Sequence, residues 1–198
     1  SANANPRAIR VKTFSKLGIA YNDTHVEDFD DFLKGNPCTV RKKSRRENAD
    51  LAIIQLKEKQ TPEHAHIFDI SGKVMKEKES KSIGEYFSQI FFGKTPMEEV
   101  EADELKIHQQ LYMIGFNHAL QVAQTKEGIK AQMTEGKIMQ MPDGERLVYD
   151  NKSMQGSSGS PVIDEDGILR GVNFAKFSLN DDFNLGVPMN LVKNFIKE

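Results

Sequence analysis

Residues 155–163 read Gln-Gly-Ser-Ser-Gly-Ser-Pro-Val-Ile, and residues 164–167, Asp-Glu-Asp-Gly, follow them directly. A serine between two glycines requires a tightly turned backbone that another group approaches closely. What comes after that serine decides which kind of turn this is. Ser158 is followed within a few residues by Pro161 and two β-branched residues, so the stretch predicts a loop that enters a strand.

One candidate for such a turn is the nucleophile elbow of α/β-hydrolases, Gly-x-Ser-x-Gly, which needs a helix immediately after the serine. Here Ser160 replaces the last glycine, and Pro161 removes a backbone donor where the helix would propagate. Val162 and Ile163 form a short β-branched run, and residues 165–167 form a turn before the next apolar pair. The setting is therefore all β, which excludes the elbow.

The segment instead resembles the serine loop of trypsin- and chymotrypsin-like proteases, Gly-x-Ser-Gly-[Gly or Ser]-Pro-[hydrophobic]. It has the Gly-Ser-Ser-Gly-Ser-Pro form that is typical of the family's bacterial branches. The resemblance implies that Ser158 is the nucleophile and that the amides of Gly156 and Ser158 form the oxyanion hole. Two amides aimed at one oxyanion need a backbone that glycine adopts easily. Taken alone, the segment also fits a plain Gly/Ser loop in a hairpin.

Composition allows one compact domain or two small barrels that share an interface. The 198 residues carry a net charge of −2 and 28% charged side chains, so nothing predicts a nucleic-acid partner. No apolar run is long enough for a membrane span, and no signal peptide is present. Residues 1–6 resemble a trimmed linker. We therefore expect a periplasmic or secreted location if an export signal was removed, and a cytoplasmic one otherwise. The single cysteine, Cys38, excludes an internal disulfide.

Asp50 stands directly before an apolar stretch, Leu-Ala-Ile-Ile. A carboxylate at the start of a buried strand is unusual unless something pairs with it. The trypsin-like family places its triad aspartate in such an Asp-[Leu or Ile]-Ala-[hydrophobic] segment. The resemblance implies that Asp50 accepts the imidazole N–H and holds its tautomer. By itself, Asp50 also fits a turn residue that caps a strand.

A serine nucleophile needs a base, and His25 is the candidate with the matching place in the sequence. The family carries its histidine before the aspartate, in a segment similar to Thr-[Asn or Ala]-x-His-[Val or Cys], which His25 and Val26 match. A second alignment assigns residues 19–23 to the hairpin that follows the histidine strand. The base would then lie before Ser1, and the first barrel would be incomplete. Both alternatives remain open from the sequence.

The resemblance also places a specificity pocket near four residues, which are Lys152, Phe174, Ala175 and Lys176. No aspartate stands where a preference for basic side chains would require one. Ser157 occupies the position at which many animal relatives carry an aspartate that pairs with a newly cleaved amino terminus. We therefore expect no such zymogen switch.

The expected fold is mostly β, with two Greek-key six-stranded barrels of the trypsin type. We predict three segments: 1–71 as the first barrel, 72–108 as a helical insertion, and 109–198 as the second barrel with a C-terminal helix. In the insertion, Ser82 and Glu85 form a capping box, and Thr95-Pro96 is a helix-start signal. The apolar run at 111–116 resembles the strand that opens the family's second barrel, and Met189 to Lys197 resembles the family's closing helix.

The sequence thus predicts a serine endopeptidase that hydrolyses peptide bonds through Ser158, His25 and Asp50. It requires no cofactor or metal, and its partner is a polypeptide substrate. His64 and His66 share one face of a strand, but no third metal ligand is evident. The alternative is a pseudoprotease, or a domain lacking the histidine, that binds an extended peptide by strand addition.

Overall fold

The computed structural model describes most of the chain, with gaps concentrated in its first half. The described residues are 19–21, 23–28, 38–44, 49–56, 65–77, 97–117, 120–140, 142–154, 156–176 and 183–197. Within these ranges lie twelve strands and two helices. In chain order they are β1 (Thr39–Lys43), β2 (Ala52–Gln55), β3 (Lys73–Glu77), β4 (Met97–Glu101), β5 (Gln110–Gly115), α1 (Leu120–Ala123), β6 (Gln124–Thr125), β7 (Gly128–Ile129), β8 (Gln132–Gln140), β9 (Leu147–Tyr149), β10 (Pro161–Ile163), β11 (Leu169–Lys176), β12 (Asn184–Pro188) and α2 (Met189–Lys197).

Six of the strands form a closed barrel in the order β10-β11-β12-β9-β8-β5, and all neighbours are antiparallel. Its interior is filled by side chains at alternate positions of the strands, because successive residues of a strand point to opposite faces. On β9, for example, Leu147 and Tyr149 are buried and Val148 between them is half-buried. The fully enclosed cluster consists of Leu111, Met113, Ile138, Leu147, Tyr149 and Val162.

Helix α2 closes one side of the barrel. The predicted helix from Met189 to Lys197 is confirmed, with the same ends. Leu191 and Val192 are its buried residues, and they pack in a second cluster with Val187 of β12 and with Ala49. Helix α2 therefore joins the barrel to the segment that precedes β2. No described helix is long and apolar enough to cross a membrane.

The strands before the barrel form small sheets. β1 pairs with β2, and β3 pairs with β4, each as an antiparallel two-stranded sheet. The prediction of a mostly β chain with a closed six-stranded barrel and a C-terminal helix is confirmed. A second closed barrel is not seen among the described residues between 19 and 108. The division into three segments stays a prediction, although the barrel strands run from β5 to β12, within its third segment.

The prediction of a helix that starts at Thr95-Pro96 is wrong, because residues Met97–Glu101 form strand β4. Its register with β3 places Lys73 opposite Glu101, which carries the opposite charge. The Lys73 ammonium also lies 2.9 Å from the Glu99 carboxylate. Cross-strand pairing of this kind outweighs a local helix-start signal. The predicted capping box at 82–85 lies outside the described residues.

The β1–β2 sheet is attached to helix α2 through Lys42. The Lys42 ammonium donates a 2.6 Å hydrogen bond to the Phe195 carbonyl and lies 4.7 Å from the centre of the Phe195 ring. An ammonium over an aromatic face is favourable, and the hydrogen bond fixes its position there. This contact and the burial of Ala49 bring the chain around residue 50 against the barrel.

Candidate active site

The serine loop lies between β9 and β10, and glycine permits its shape. Gly156 has φ 101° and Gly159 has φ 89°, both in the left-handed region that side chains disfavour. A Cβ on Gly159 would meet nothing within 4 Å, so the requirement there is conformational and not steric. At Gly115 of β5 the requirement is steric, since a Cβ would lie 1.9 Å from the Ser160 hydroxyl. Glycines thus give the loop its turn and let β5 approach it.

Ser158 is exposed at the tip of this loop. Its hydroxyl donates a hydrogen bond of 3.3 Å to the Phe174 carbonyl on β11. Beside it opens a pocket of about 280 Å³. The pocket is lined by Ser153, Met154, Ser158, Asn173, Ala175 and Lys176. A serine hydroxyl that is held at one point and faces an open pocket is accessible to a bound ligand.

The amides on either side of Ser158 are used within the fold. The Ser157 amide donates to the Met154 carbonyl at 3.0 Å, and the Gly159 amide donates to the Asn173 carbonyl at 2.7 Å. Within the described part of the chain, the Ser158 amide has no hydrogen-bond partner. An unpaired amide next to an exposed hydroxyl is what an oxyanion hole requires.

Ser157 points the opposite way, into the barrel wall, and is 1% exposed. Its hydroxyl accepts a 3.0 Å hydrogen bond from the Met154 amide and donates to the Asn117 side-chain carbonyl. A neutral hydroxyl with two partners satisfies this buried position without a charge. Ser157 therefore helps to hold the loop through neutral hydrogen bonds. An aspartate buried at this position would instead need a cationic partner.

Of the four residues predicted near the pocket, Ala175 and Lys176 line it. Phe174 contributes its carbonyl to Ser158, while its side chain packs in the cluster around Val187 and Leu191. Lys152 is exposed and does not line the pocket. Sequence reasoning missed three other lining residues, which are Ser153, Met154 and Asn173. An available signal was Asn173, since asparagine is disfavoured inside a strand unless it has a specific partner.

Asp50 is exposed, but the residues on either side of it pack inward. Ala49 is 3% exposed and belongs to the cluster of β12 and α2, and Leu51 packs against the same cluster. The Phe174 side chain packs there too, and its carbonyl accepts the hydrogen bond from Ser158. Asp50 is thus carried by a segment that shares a packing cluster with the strand next to Ser158.

His25 is exposed on a segment fixed to the β6–β7 hairpin. The Asp23 amide donates to the Ile129 carbonyl at 2.7 Å, and the Ile129 amide donates to the Thr24 carbonyl at 2.9 Å. The Asp23 carboxylate also accepts from Lys130, and this hydrogen bond raises the pKa of that lysine. No hydrogen bond joins Ser158 to a histidine among the described residues, and His64 and His118 lie outside them.

The other described histidines have local surroundings. The His66 ring makes an edge contact with Phe68, with the ring centres 4.7 Å apart. His108 has φ 62°, and its amide donates to the Ile138 carbonyl at 2.9 Å, in the turn before β5. Within the described ranges, no three His, Cys, Asp or Glu side chains converge as metal ligands do.

Solved structures with a similar chain course include two forms of the Rv3671c protease of M. tuberculosis. The inactive mutant form has 14% identity and a TM-score of 0.49, covering 84% of this chain and 67% of that one. The active form has 15% identity and a TM-score of 0.49, covering 84% and 60%. The MamO protease domain of Magnetospirillum magneticum has 16% identity and a TM-score of 0.48, covering 80% and 66%. This chain thus spans about 60–67% of the length of those chains.

No curated protein matches the sequence. The profile of one family, the trypsin-like peptidase domain, matches residues 18–172. That range contains His25, Asp50 and Ser158 and extends into β11. It covers more than half of the chain, and the chain belongs to the trypsin-like peptidase domain family.

Proposed function

We propose that the chain is a serine endopeptidase that cleaves peptide bonds by acyl transfer through Ser158. The observation that carries the proposal is the exposed Ser158 hydroxyl beside a 280 Å³ pocket, next to an amide without a partner in the described chain. Family membership supports the same chemistry. A nucleophile, a nearby donor for the oxyanion and space for a side chain are the minimal parts of such a site.

In the proposed reaction a base removes the Ser158 proton as the oxygen attacks the scissile carbonyl carbon. Negative charge then develops on the carbonyl oxygen, and the amides of Ser158 and Gly156 stabilise it. The protonated base gives its proton to the leaving amine, and water hydrolyses the acyl-enzyme in the reverse sense. We assign the base to His25 and the carboxylate that orients it to Asp50.

The lining of the pocket bears on the side chain that it accepts. Its described members include no carboxylate. Ser153 and Asn173 in the lining are buried and uncharged, and Met154 and Ala175 are apolar. A lysine or arginine side chain would be desolvated there without a counter-charge, which is unfavourable. We therefore expect cleavage after uncharged residues to be faster than after basic ones.

A second candidate function is supported by one observation. The Ser158 hydroxyl bonds to the Phe174 carbonyl, and no imidazole accepts from it within the described residues. A domain with this fold and no functional base would bind an extended peptide beside β11 without cleaving it. This pseudoprotease differs from the first proposal in having no acylation step.

Labelling with a fluorophosphonate probe separates the two functions. The endopeptidase proposal predicts stoichiometric labelling of the wild type, loss of labelling in Ser158→Ala, and retained labelling in the surface control Ser71→Ala. Circular dichroism should show that all three variants are folded. A folded wild type that is never labelled but binds a peptide would contradict the endopeptidase and support the binding module.

A further inference from the structure

Three buried polar residues form a hydrogen-bonded network behind Ser158. Tyr149, Asn173 and Ser157 come from β9, β11 and the loop, and each is at most 3% exposed. The Tyr149 hydroxyl donates to the Asn173 side-chain oxygen at 2.6 Å, and the Asn173 side-chain nitrogen donates to the Ser157 carbonyl at 2.9 Å. Burying a polar side chain costs free energy unless it is hydrogen-bonded. We therefore looked for a specific role of this network.

Among the described residues, Asn173 takes part in four hydrogen bonds outside the regular strand pairing, and three of them go to the serine loop. Its amide donates to the Ser160 carbonyl at 2.9 Å, and its carbonyl accepts from the Gly159 amide at 2.7 Å. The side chain adds the bond to the Ser157 carbonyl. One residue of β11 thus contacts three peptide groups around Ser158, those between residues 157 and 158, 158 and 159, and 160 and 161. An apolar residue such as leucine would keep the two main-chain bonds and lose the bond to Ser157.

The bond to the Ser157 carbonyl fixes the amide that follows it. The Ser157 carbonyl and the Ser158 N–H belong to one planar peptide group and point in opposite directions. The carbonyl accepts from Asn173 and also from the Ser160 amide, at 3.1 Å. With its oxygen held on the buried side by two donors, the peptide group presents the Ser158 N–H on the open side.

Tyr149 determines which end of the Asn173 amide faces the loop. A phenol has a single hydrogen, and here it is given to the Asn173 oxygen. The nitrogen of that amide must then face Ser157. Burial raises the pKa of Tyr149, so the hydroxyl keeps its hydrogen at neutral and moderately alkaline pH. The two side chains therefore act in series, with Tyr149 orienting Asn173 and Asn173 orienting the peptide group.

We propose that Asn173 is a positioning residue that holds the Ser157–Ser158 peptide group with its N–H toward the oxyanion. This inference rests on the proposed function, because an oxyanion forms only if the Ser158 oxygen attacks a carbonyl carbon. Loss of one oxyanion donor lowers kcat by about 10²–10³-fold. A donor that is misoriented but present has a smaller effect, and we expect kcat to fall by roughly 10–100-fold with little change in KM.

The matched test compares Asn173→Asp with Asn151→Asp. The first variant keeps its size and can still accept from Tyr149, but its carboxylate cannot donate to Ser157. Asn151 is also buried, at 2% exposed, and its side-chain nitrogen donates to the Leu111 and Thr134 carbonyls on barrel strands. The same exchange there removes donors from carbonyls outside the serine loop. It controls for the general cost of a buried carboxylate.

Two measurements are made on each variant, peptide hydrolysis and amide hydrogen exchange of Gly159 and Ser160. The proposal predicts that Asn173→Asp lowers kcat at least tenfold at nearly constant KM and speeds exchange of these two amides. Asn151→Asp should affect both much less than Asn173→Asp does. An Asn173→Asp enzyme with the kcat and the exchange rates of Asn151→Asp would overturn the proposal.

If Asn173→Asp does not fold, Tyr149→Phe provides the second variant, since it removes one hydroxyl and keeps the ring. We expect about a two- to tenfold lower kcat, because the Asn173 amide can then turn. An unchanged kcat and unchanged exchange would overturn the proposal. A wild type without hydrolysis or labelling would refute the proposed function, and the exchange measurement would still decide whether Asn173 holds the loop.

Discussion

The barrel and the chain before it differ in how their apolar residues are placed. In the barrel, Leu147 and Val162 are 0% exposed, whereas the cross-strand neighbours Val40 and Ile54 of the β1–β2 sheet are 40% and 44% exposed. The serine loop and its pocket belong to the barrel. The proposed base, His25, and the carboxylate proposed to orient it, Asp50, belong to the chain before the barrel. The proposed nucleophile thus lies on a loop of the closed barrel, whereas its proposed partners lie on segments that pack against the barrel from outside.

That docking has identified contacts. Ala49 is buried against β12 and α2, and Lys42 contacts Phe195 through a hydrogen bond and its ring. Both contacts attach the β1–β2 region to the C-terminal helix. We therefore expect the barrel part of the site, Ser158 and its pocket, to keep its structure when His25 or Asp50 is replaced.

The largest expected effect concerns the base. His25→Ala should lower kcat/KM by about 10⁶-fold if His25 is the triad histidine, because loss of one member of such a unit costs about as much as loss of all. His66→Ala is the control, since its ring is exposed and makes an edge contact with Phe68. Equal activity of the two variants in a peptide hydrolysis assay would exclude His25 and require another base.

The next largest effect concerns Asp50. Asp50→Asn should lower kcat by about 10⁴-fold with the fold intact, since the amide cannot stabilise the imidazolium and favours the wrong tautomer. Asp166→Asn serves as the control, because Asp166 is exposed in the turn after β10. Steady-state kinetics decides the matter, and a loss below tenfold would show that Asp50 is only a strand-end residue.

Stability measurements test the difference between the two regions directly. Leu147→Ala should lower the free energy of unfolding by about 2–5 kcal/mol, because it leaves a cavity in a closed core. Ile54→Ala should cost less than about 1 kcal/mol, since that side chain is partly open to solvent. Urea unfolding of both variants gives the two values. Equal losses would mean that the β1–β2 region is as tightly packed as the barrel.

The smallest expected effect is a pH dependence from Tyr149. Burial raises the pKa of this phenol above its ordinary value of 10.0. Above pH 10 the unfolded chain therefore releases this proton while the folded chain keeps it. The contribution of Tyr149 to the free energy of unfolding is therefore fully present below pH 10 and decreases as the pH rises above it. The contribution is up to about 1.4 kcal/mol per pH unit. Unfolding free energies measured at pH 9–11 should show a shallower fall for Tyr149→Phe, and identical slopes would contradict this account.

Much of the barrel could be predicted from the sequence because its elements are locally encoded. The apolar run at 111–116 predicted a strand that is present as β5, and the apolar face at Met189 to Lys197 predicted α2. Strand β4 was missed because its charges are matched to β3, a partner distant in sequence. Local signals cannot report such pairing.

The candidate site shows the same limit. Gly156, Ser158 and Asp50 stand in short motifs, so they were found without a structure. Ser153 and Asn173 belong to different strands or loops that become neighbours only when the barrel closes. Their roles depend on which strands are adjacent, and sequence spacing carries no information about that adjacency. The network behind the loop therefore required the structure.

The central claim is that Ser158 becomes acylated, and trapping the acyl-enzyme tests it most directly. An activated peptide ester is mixed with the protein, the reaction is quenched in acid within one turnover, and the acylated residue is located by peptide mapping. We expect one acyl group per chain, attached to the Ser158 oxygen. An acyl group on another residue, or a folded protein with none, would contradict it.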